Sequence, residues 1–262
     1  MTRMGLIACA MSIALLSVAL PTNAQVFTEG FDDPSPALLT DVLKSNGWVI
    51  TNNSSPIGDQ NWNQGIPGVQ TDGLGLNAES DPPSAANSFI QTNFGAGNPS
   101  GAGAIVSDWL VTPVLTLRNG SVVSFYTTAN PNVAADPNEL QVWLSLSGAS
   151  TVNVGSTAAS MLGGDFTKEL LDINPGALLD NGVQGGYPTK WTLETKTISE
   201  LSGPTVGRIG FRYYLPNNVN EGTTIGIDTL TVTTVPEPSR LALLALGALG
   251  FVFFKLREWR LS

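Results

Sequence analysis

Hydrophobic and polar residues alternate with a period of two along several short segments of the chain, which predicts half-buried β-strands. The segment "NELQVWLSLSG" places Trp143 on one face and four aliphatic side chains on the other, namely Leu140, Val142, Leu144 and Leu146. The segment "GRIGFRYYLP" alternates Ile209, Phe211 and Tyr213 with residues assigned to the opposite face. The composition of "SVVSFYTT" and "TTIGIDTLTVTT" predicts two further strands, because β-branched and aromatic residues favour pleated backbone.

The last of these segments changes its apolar phase at Asp228. Before Asp228 the apolar residues Ile225 and Ile227 stand at odd-numbered positions, whereas after it Leu230 and Val232 stand at even-numbered positions. The shift predicts either a β-bulge at Asp228 or a strand that is buried on both faces.

One short helix is predicted, with Ser35 as its cap, Pro36 in its first turn and Asn46-Gly47 at its end. Segments rich in Gly, Asn, Asp and Pro predict loops over residues 52–86 and 95–103, and an irregular region over 148–186. Many strands, one helix and long loops predict an all-β fold, a two-sheet sandwich of jelly-roll type in one domain.

The first 24 residues carry a different pattern. A basic Arg3, an apolar run from Leu6 to Leu20 and a small residue at Ala24 predict a secretory signal helix that is cleaved after Ala24. A signal anchor is the alternative, although no basic stop-transfer cluster follows the run. The predicted domain therefore covers residues 25–234, between this signal and a carboxy-terminal segment, 235–262.

The carboxy-terminal segment contains 14 consecutive apolar residues, 241–254, and ends in a cluster of basic residues. A membrane helix needs about 20 residues, so this transmembrane segment is short, but flanking Lys and Arg side chains extend its effective span. The basic end predicts that the terminus is cytoplasmic and that the domain lies outside the membrane.

The sequence "VPEPS" at 235–239, the apolar segment and the Arg-rich end together resemble a PEP-CTERM sorting signal, with Pro236, Glu237 and Pro238 as the motif. The resemblance implies export in a Gram-negative bacterium, transient anchoring in the inner membrane and recognition by a membrane-embedded exosortase. It further implies cleavage near the tripeptide and a location in the cell envelope or outside, typically in bacteria that make exopolysaccharide. An ordinary single-span anchor is the alternative.

Composition excludes several chemistries. The chain has no His, and its one cysteine, Cys9, lies inside the predicted signal. The mature protein therefore has no disulfide, no His-assisted nucleophile and no zinc site of the Cys/His type. Residues 25–236 hold 7 basic and 19 acidic residues, a net charge of −12, which disfavours nucleic acid as a partner and suits divalent cations.

A second resemblance rests on seven short motifs in order along residues 26–234. They are "EGFDD", "GW", "NWNQG", "DWLVTPVLTL", "SFY", "FRYY" and "IGID". In that order they resemble the choice-of-anchor J domain, which is akin to cleaved-adhesin and MAM-like jelly rolls. The sequence departs from that pattern by an insertion, "PSPALLTDVLKSN", before Gly47.

Carboxylates form the candidate metal site. Glu29 and Asp33 flank the first predicted strand and Asp228 lies in the last, and terminal strands of a jelly roll are often neighbours. Close carboxylates repel one another unless a cation neutralises them, and calcium accepts six to eight oxygens. Related adhesin sandwiches carry structural calcium, so we expect a structural calcium ion on Glu29, Asp33 and Asp228, with Asp108 less favoured. The alternative is that these acids cap turns and face water.

The tryptophans are candidates for sugar contact, because aromatic rings stack on sugar faces. Trp48 and Trp109 are predicted to be core residues, and Trp143 is predicted to be exposed or to lie under a loop. Trp62, in the polar segment "DQNWNQG", is the candidate ligand-binding residue.

These features predict an exported, non-enzymatic protein of the cell envelope, exopolysaccharide or biofilm matrix, with an adhesin-like, calcium-stabilised domain. Its predicted partners are an exosortase, a glycan or matrix protein, and the membrane before processing. Two alternatives remain open: an extracellular enzyme that degrades polysaccharide with carboxylates alone, and a structural matrix protein without a specific ligand.

Overall fold

The computed structural model describes residues 24–32, 39–65, 89–98, 103–129, 137–148, 152–178, 186–219 and 222–234. No helix in these ranges has the length and apolar character that crossing a membrane requires. The remaining residues, which include Asp33, most of the predicted signal, the predicted membrane segment and the sorting motif, lie outside the described part of the chain.

Residues 26–234 belong to one compact unit, and the strands described in it form two sheets of six strands each. The strands of the first sheet are β1 (Gln25–Glu29), β3 (Asn63–Gly65), β4 (Phe89–Asn93), β7 (Val122–Ala129), β10 (Thr192–Thr197) and β12 (Thr224–Thr234). The strands of the second sheet are β2 (Val49–Asn52), β5 (Val106–Val111), β6 (Leu115–Leu117), β8 (Leu140–Ser145), β9 (Phe166–Ile173) and β11 (Thr205–Leu215).

The strand order is β10-β7-β12-β4-β3 in the first sheet, where β1 also pairs with β12. In the second sheet it is β2-β5-β11-β8-β9, and β6 pairs with β11. Neighbouring strands along both orders are antiparallel. The predicted all-β sandwich is therefore confirmed, and the first and last strands are neighbours as expected.

The alternation of the sequence decides which side chains form the core. Ile209, Phe211 and Tyr213 of β11 are fully buried, as their spacing predicts. Phe211 meets Phe125 of β7 edge-on, with 5.1 Å between ring centroids, and both rings belong to the main core cluster. Burial of such aromatic side chains is a large part of the stability of a domain without disulfides.

Of the two alternatives predicted at Asp228, the β-bulge is present. The pairing of β12 with β7 changes register between Asp228 and Thr231, and Thr229 takes the left-handed backbone conformation with φ of 50°. The extra residue moves the apolar side chains of β12 from one phase to the other, so Leu230 and Val232 remain buried.

One helix, α1 (Leu39–Ser45), follows β1. Leu39 and Leu43 are one turn apart and both are buried, so this helix is anchored to the core by its apolar side. It ends at Ser45, and the predicted terminator Gly47 follows, where φ of +88° favours glycine. The predicted cap, Ser35, lies outside the described residues.

Four details of the predicted strands need correction. The region 148–186 contains the eight-residue strand β9, the predicted loop 52–86 contains the short strand β3, and β10 forms from a polar segment that had no strand signal. Leu146 lies beyond the end of β8 and is 38% exposed, so it does not continue the buried row of that strand. All three of these strands are edge strands, whose residues are determined by pairing to a neighbour more than by apolar alternation.

Candidate functional site

Two of the three predicted calcium ligands lie on paired strands. Glu29 ends β1 and Asp228 lies at the bulge of β12. Burial raises the pKa of Glu29, the hydrogen bond that its Oε1 accepts from Phe31 N opposes this rise, and the nearby charge of Asp32 adds to it. Asp228 is 2% exposed, and its Oδ1 accepts a hydrogen bond of 2.6 Å from Thr229 N.

These surroundings suit a cation, because a nearby positive ion would offset the free-energy cost of burying the charged Glu29 carboxylate. Within the described ranges, however, no three acidic side chains come together as a metal site would need. Asp33 lies outside those ranges, so calcium binding by Glu29, Asp33 and Asp228 stays a prediction. Asp108, the less favoured ligand, is buried in β5, where its Oδ2 accepts a hydrogen bond of 2.6 Å from Thr92 Oγ1.

A polar cleft of about 430 Å³ lies beside the segment that contains Trp62. One wall is α1, the other is the loop 59–63, and Ile50 of β2 contributes between them. The lining residues are Thr40, Lys44, Ile50, Asp59, Gln60, Asn61, Trp62 and Asn63. Three amide side chains and one cation at this cleft provide both donors and acceptors of hydrogen bonds.

The loop 59–63 is fixed by bonds to distant segments. Asn52 Nδ2 donates to Gln60 O at 3.1 Å and to Ala96 O at 2.7 Å, while its Oδ1 accepts from Ser54 N. At Gly58 a Cβ atom would lie 2.0 Å from Gly95 O, so the close approach of the two loops requires glycine there. The amide side chains of the cleft therefore stand on a pre-organised backbone.

Trp62 needs a correction as a stacking residue. Its ring is 1% exposed, and its indole N–H donates to Asp108 O at 3.1 Å. The ring is thus a core side chain that supports the cleft from below, and its faces are covered by protein. The polar residues around it are the ones that a ligand would meet. Trp48 and Trp109 are buried, as predicted.

A second polar cluster lies on the outer face of the second sheet, around Arg212 of β11. The guanidinium is 2% exposed and donates to Ser107 Oγ at 2.9 Å, to Gln141 Oε1 at 2.8 Å and to Ala158 O. It lies 4.1 Å from the ring centroid of Tyr214, a cation–π distance.

The segment 152–165 covers this face. Val154 packs with Trp109, Val111 and Phe166 in a small apolar cluster, against which Trp143 also packs. Trp143 therefore lies under a loop, one of its two predicted positions. The guanidinium of Arg212 donates a hydrogen bond to Ala158 O in the covering segment. This bond joins the segment to the sheet and encloses Arg212.

Three carboxylates interact electrostatically with Arg212, and burial raises the pKa of each of them. Burial and the charge of Asp172 raise the pKa of Glu139 to about 7. The hydrogen bonds that Glu139 accepts from Gly176 N and Gln141 Nε2 oppose this rise. Burial and the charge of Glu169 raise the pKa of Asp172 to about 6. Burial also raises the pKa of Glu169 and lowers that of Arg212 to about 10, so the guanidinium stays charged.

Sequence analysis missed this cluster, although the strand pattern contained part of the signal. Once the strands are paired, Arg212 lies opposite Gln141, and Gln141 lies opposite Asp172. These residues occupy the outer phase of β11 and β8, which alternation alone assigns to solvent. The covering segment and strand β9, which bury them, have no comparable signal.

Comparison with solved structures finds similar sandwiches at low sequence identity. The K1 cleaved adhesin domain of Lys-gingipain from Porphyromonas gingivalis W83 is 19% identical, with a TM-score of 0.46, over 80% of this chain and 99% of that chain. The carbohydrate-binding module TmCBM61, solved in complex with beta-1,4-galactotriose, is 10% identical, with a TM-score of 0.36, over 80% of this chain and 99% of that one. No curated protein sequence matches the chain.

The carboxy-terminal sequence gives the more direct identification. Residues 234–257 match the PEP-CTERM protein-sorting motif, so the sorting signal predicted from Pro236, Glu237 and Pro238 is confirmed. The motif implies processing by an exosortase. The chain is therefore an exported protein that is sorted to the cell envelope, and its described residues form a two-sheet β-sandwich.

Proposed function

We propose that the chain is a non-enzymatic glycan-binding protein of the envelope or exopolysaccharide matrix of a Gram-negative bacterium. Exosortase processing follows a stage in which the carboxy-terminal segment holds the protein in the inner membrane. The sandwich then binds hydroxyl-rich polymer through the cleft between α1 and the loop 59–63. A calcium ion on Glu29, Asp33 and Asp228 steadies the fold.

The cleft is the observation that carries the binding proposal. Its volume of about 430 Å³ falls within the range of sites for small ligands. Gln60, Asn61 and Asn63 line it, and an amide both donates to and accepts from sugar hydroxyls. Since Asn52 ties the loop to its neighbours, little ordering entropy opposes binding.

Replacing Gln60 and Asn61 together with alanine is expected to weaken glycan binding about tenfold or more, because each lost hydrogen bond is worth about 1 kcal/mol. The dissociation constant is measured by titrating the full chain in detergent with exopolysaccharide fragments from the bacterium that makes this protein. The side chain of Gln60 bonds only to Asp59 among the described residues, so its removal leaves the fold in place.

Thr195→Ala, on the exposed strand β10, is the matched control and should bind like the wild type. Equal binding by the double variant and the wild type would contradict the cleft as the site. Trp62→Ala is unsuitable here, because removal of a buried tryptophan costs about 3–5 kcal/mol of stability by itself.

Calcium is expected to raise the thermal midpoint of the protein, because an ion that binds only the folded state stabilises it. At a free concentration ten times the Kd the gain is about 1.4 kcal/mol. Melting with calcium and with EDTA measures it. The gain should vanish in Asp228→Asn and persist in Asp41→Asn, a change in the exposed part of α1. A thermal midpoint that is the same in calcium and in EDTA would contradict the proposed calcium site.

The enzyme alternative has one supporting observation, the pKa of about 7 at Glu139, which is suitable for a general acid. Glu139 is nevertheless 2% exposed, and both of its oxygens accept hydrogen bonds from the protein. Reducing-sugar release from the native exopolysaccharide would favour hydrolysis over binding, and a glycan array without any bound member would favour the structural alternative.

A further inference from the structure

Helix α1 contributes a charged wall to the cleft. Leu39 and Leu43 anchor one side of the helix in the core, and Thr40 and Lys44, which are also one turn apart, line the cleft. The helix lies within the inserted segment "PSPALLTDVLKSN", so this wall belongs to the part of the sequence that departs from the resembling domains.

Lys44 is the single cation among the residues that line the cleft. No carboxylate in the described ranges forms an ion pair with it, whereas Lys168 pairs with Glu200 at 2.7 Å. Lys44 stands in the last turn of α1, where the helix dipole favours a positive charge, and it lines the cleft without an ion pair in those ranges.

The opposite wall of the cleft carries a negatively charged side chain. Asp59 lines the loop side of the cleft, and its Oδ1 accepts a hydrogen bond of 3.3 Å from the neighbouring Gln60. A carboxylate on the ligand would be repelled by Asp59 and attracted by Lys44, which gives the ligand one favoured orientation. Hydroxyl groups of the same ligand would meet Asp59 and the amide side chains.

We propose that the cleft selects a glycan with a uronic acid unit, whose carboxylate pairs with Lys44 while its hydroxyl groups bind Gln60, Asn61 and Asp59. This inference rests on the proposed function of the cleft and adds the substrate class. A carboxylate uses the charge of Lys44 in a charge-assisted hydrogen bond, which a neutral sugar cannot do.

The net charge of the folded part limits the density of uronic acid in the ligand. Residues 25–236 carry a net charge of −12, so a continuous polyuronate meets long-range repulsion. A polymer of mainly neutral sugars with occasional uronic acid units gains the contact with Lys44 and avoids most of that repulsion. Added salt should therefore improve binding of a polyuronate and weaken the preference for a single uronic acid unit.

The test compares two trisaccharides that differ in one unit, glucose in one and glucuronic acid in the other. The full chain in detergent is titrated with each by calorimetry. The wild type is expected to bind the glucuronic acid form about fivefold more tightly, the upper range for an exposed ion pair. Lys44→Met should lose this preference, so that it binds the two trisaccharides with equal affinity, whereas Lys196→Met on β10 should retain the wild-type ratio.

Each of the three other outcomes contradicts a different part of the inference. Equal affinity of the wild type for both trisaccharides would refute uronic acid selection while the cleft remains a glycan site. A preference that persists in Lys44→Met would assign selection to another residue. Binding of neither trisaccharide, with the folded state verified by circular dichroism, would refute the selection and the glycan-binding proposal together.

Discussion

Replacing Arg212 with leucine is expected to lower the free energy of unfolding by about 3 to 5 kcal/mol, the cost of removing one charge from a buried polar cluster. The change deprives Ser107 Oγ, Gln141 Oε1 and Ala158 O of a charged donor in a site that excludes solvent. It also leaves Glu139 and Asp172 without the positive charge that opposes the rise in their pKa.

Urea unfolding at pH 7, with calcium held constant, measures this loss. Lys168→Met is the control, because its ion pair with Glu200 is on the surface and such pairs contribute at most about 1 kcal/mol. Comparable losses in the two variants would contradict the structural role of the Arg212 cluster. Loss of the hydrogen bond that Arg212 donates to Ala158 O should also make the segment 152–165 more accessible to proteases than in the wild type.

Stability is expected to fall as pH rises from about 4 to about 7, by about 2 to 4 kcal/mol for the Glu139 and Asp172 pair. In the unfolded chain these groups release their protons near their ordinary pKa values of 4.5 and 3.8. In the folded protein burial raises the pKa of Glu139 to about 7 and that of Asp172 to about 6. Between these limits the folded state binds more protons, so raising the pH favours unfolding. The range allows for solvent screening at the half-buried Asp172.

Urea unfolding at a series of pH values, in EDTA throughout, measures the slope. Glu139→Gln should flatten it, because the amide is neutral at every pH. Glu200→Gln should not, since Lys168 lowers the pKa of the exposed Glu200 carboxylate and its contribution has the opposite sign. A stability that rises over this interval, or a slope that Glu139→Gln leaves unchanged, would contradict the raised pKa of Glu139.

The core strands could be predicted from the sequence because their pattern is set by burial. The rows Ile209-Phe211-Tyr213 and Leu140-Val142-Leu144 alternate in the sequence and lie between the sheets in the structure. The bulge at Asp228 was predictable for the same reason, since a single extra residue must reverse the apolar phase. Strand β10 was not, because an exposed edge strand of Thr, Glu and Lys has no apolar row.

The candidate sites were less predictable because they depend on contacts distant in sequence. The segment of Trp62 stands out in the sequence for its polar residues, yet the ring itself is a core side chain whose indole N–H donates to Asp108 O, 46 residues away. The loop it belongs to is held by Asn52, whose Nδ2 donates both to Gln60 O in the loop and to Ala96 O, 44 residues away. The environment of Arg212 likewise requires β9 and the covering segment, and neither has an apolar pattern that indicates burial.

Hydrogen–deuterium exchange of the full chain in detergent, with and without exopolysaccharide from the producing bacterium, tests most directly whether the sandwich is a glycan receptor. Our account predicts that the polymer slows exchange in residues 39–45 and 59–63 and leaves the outer strand β10 unchanged. Unaltered exchange in both of those segments at a saturating polymer concentration would contradict it.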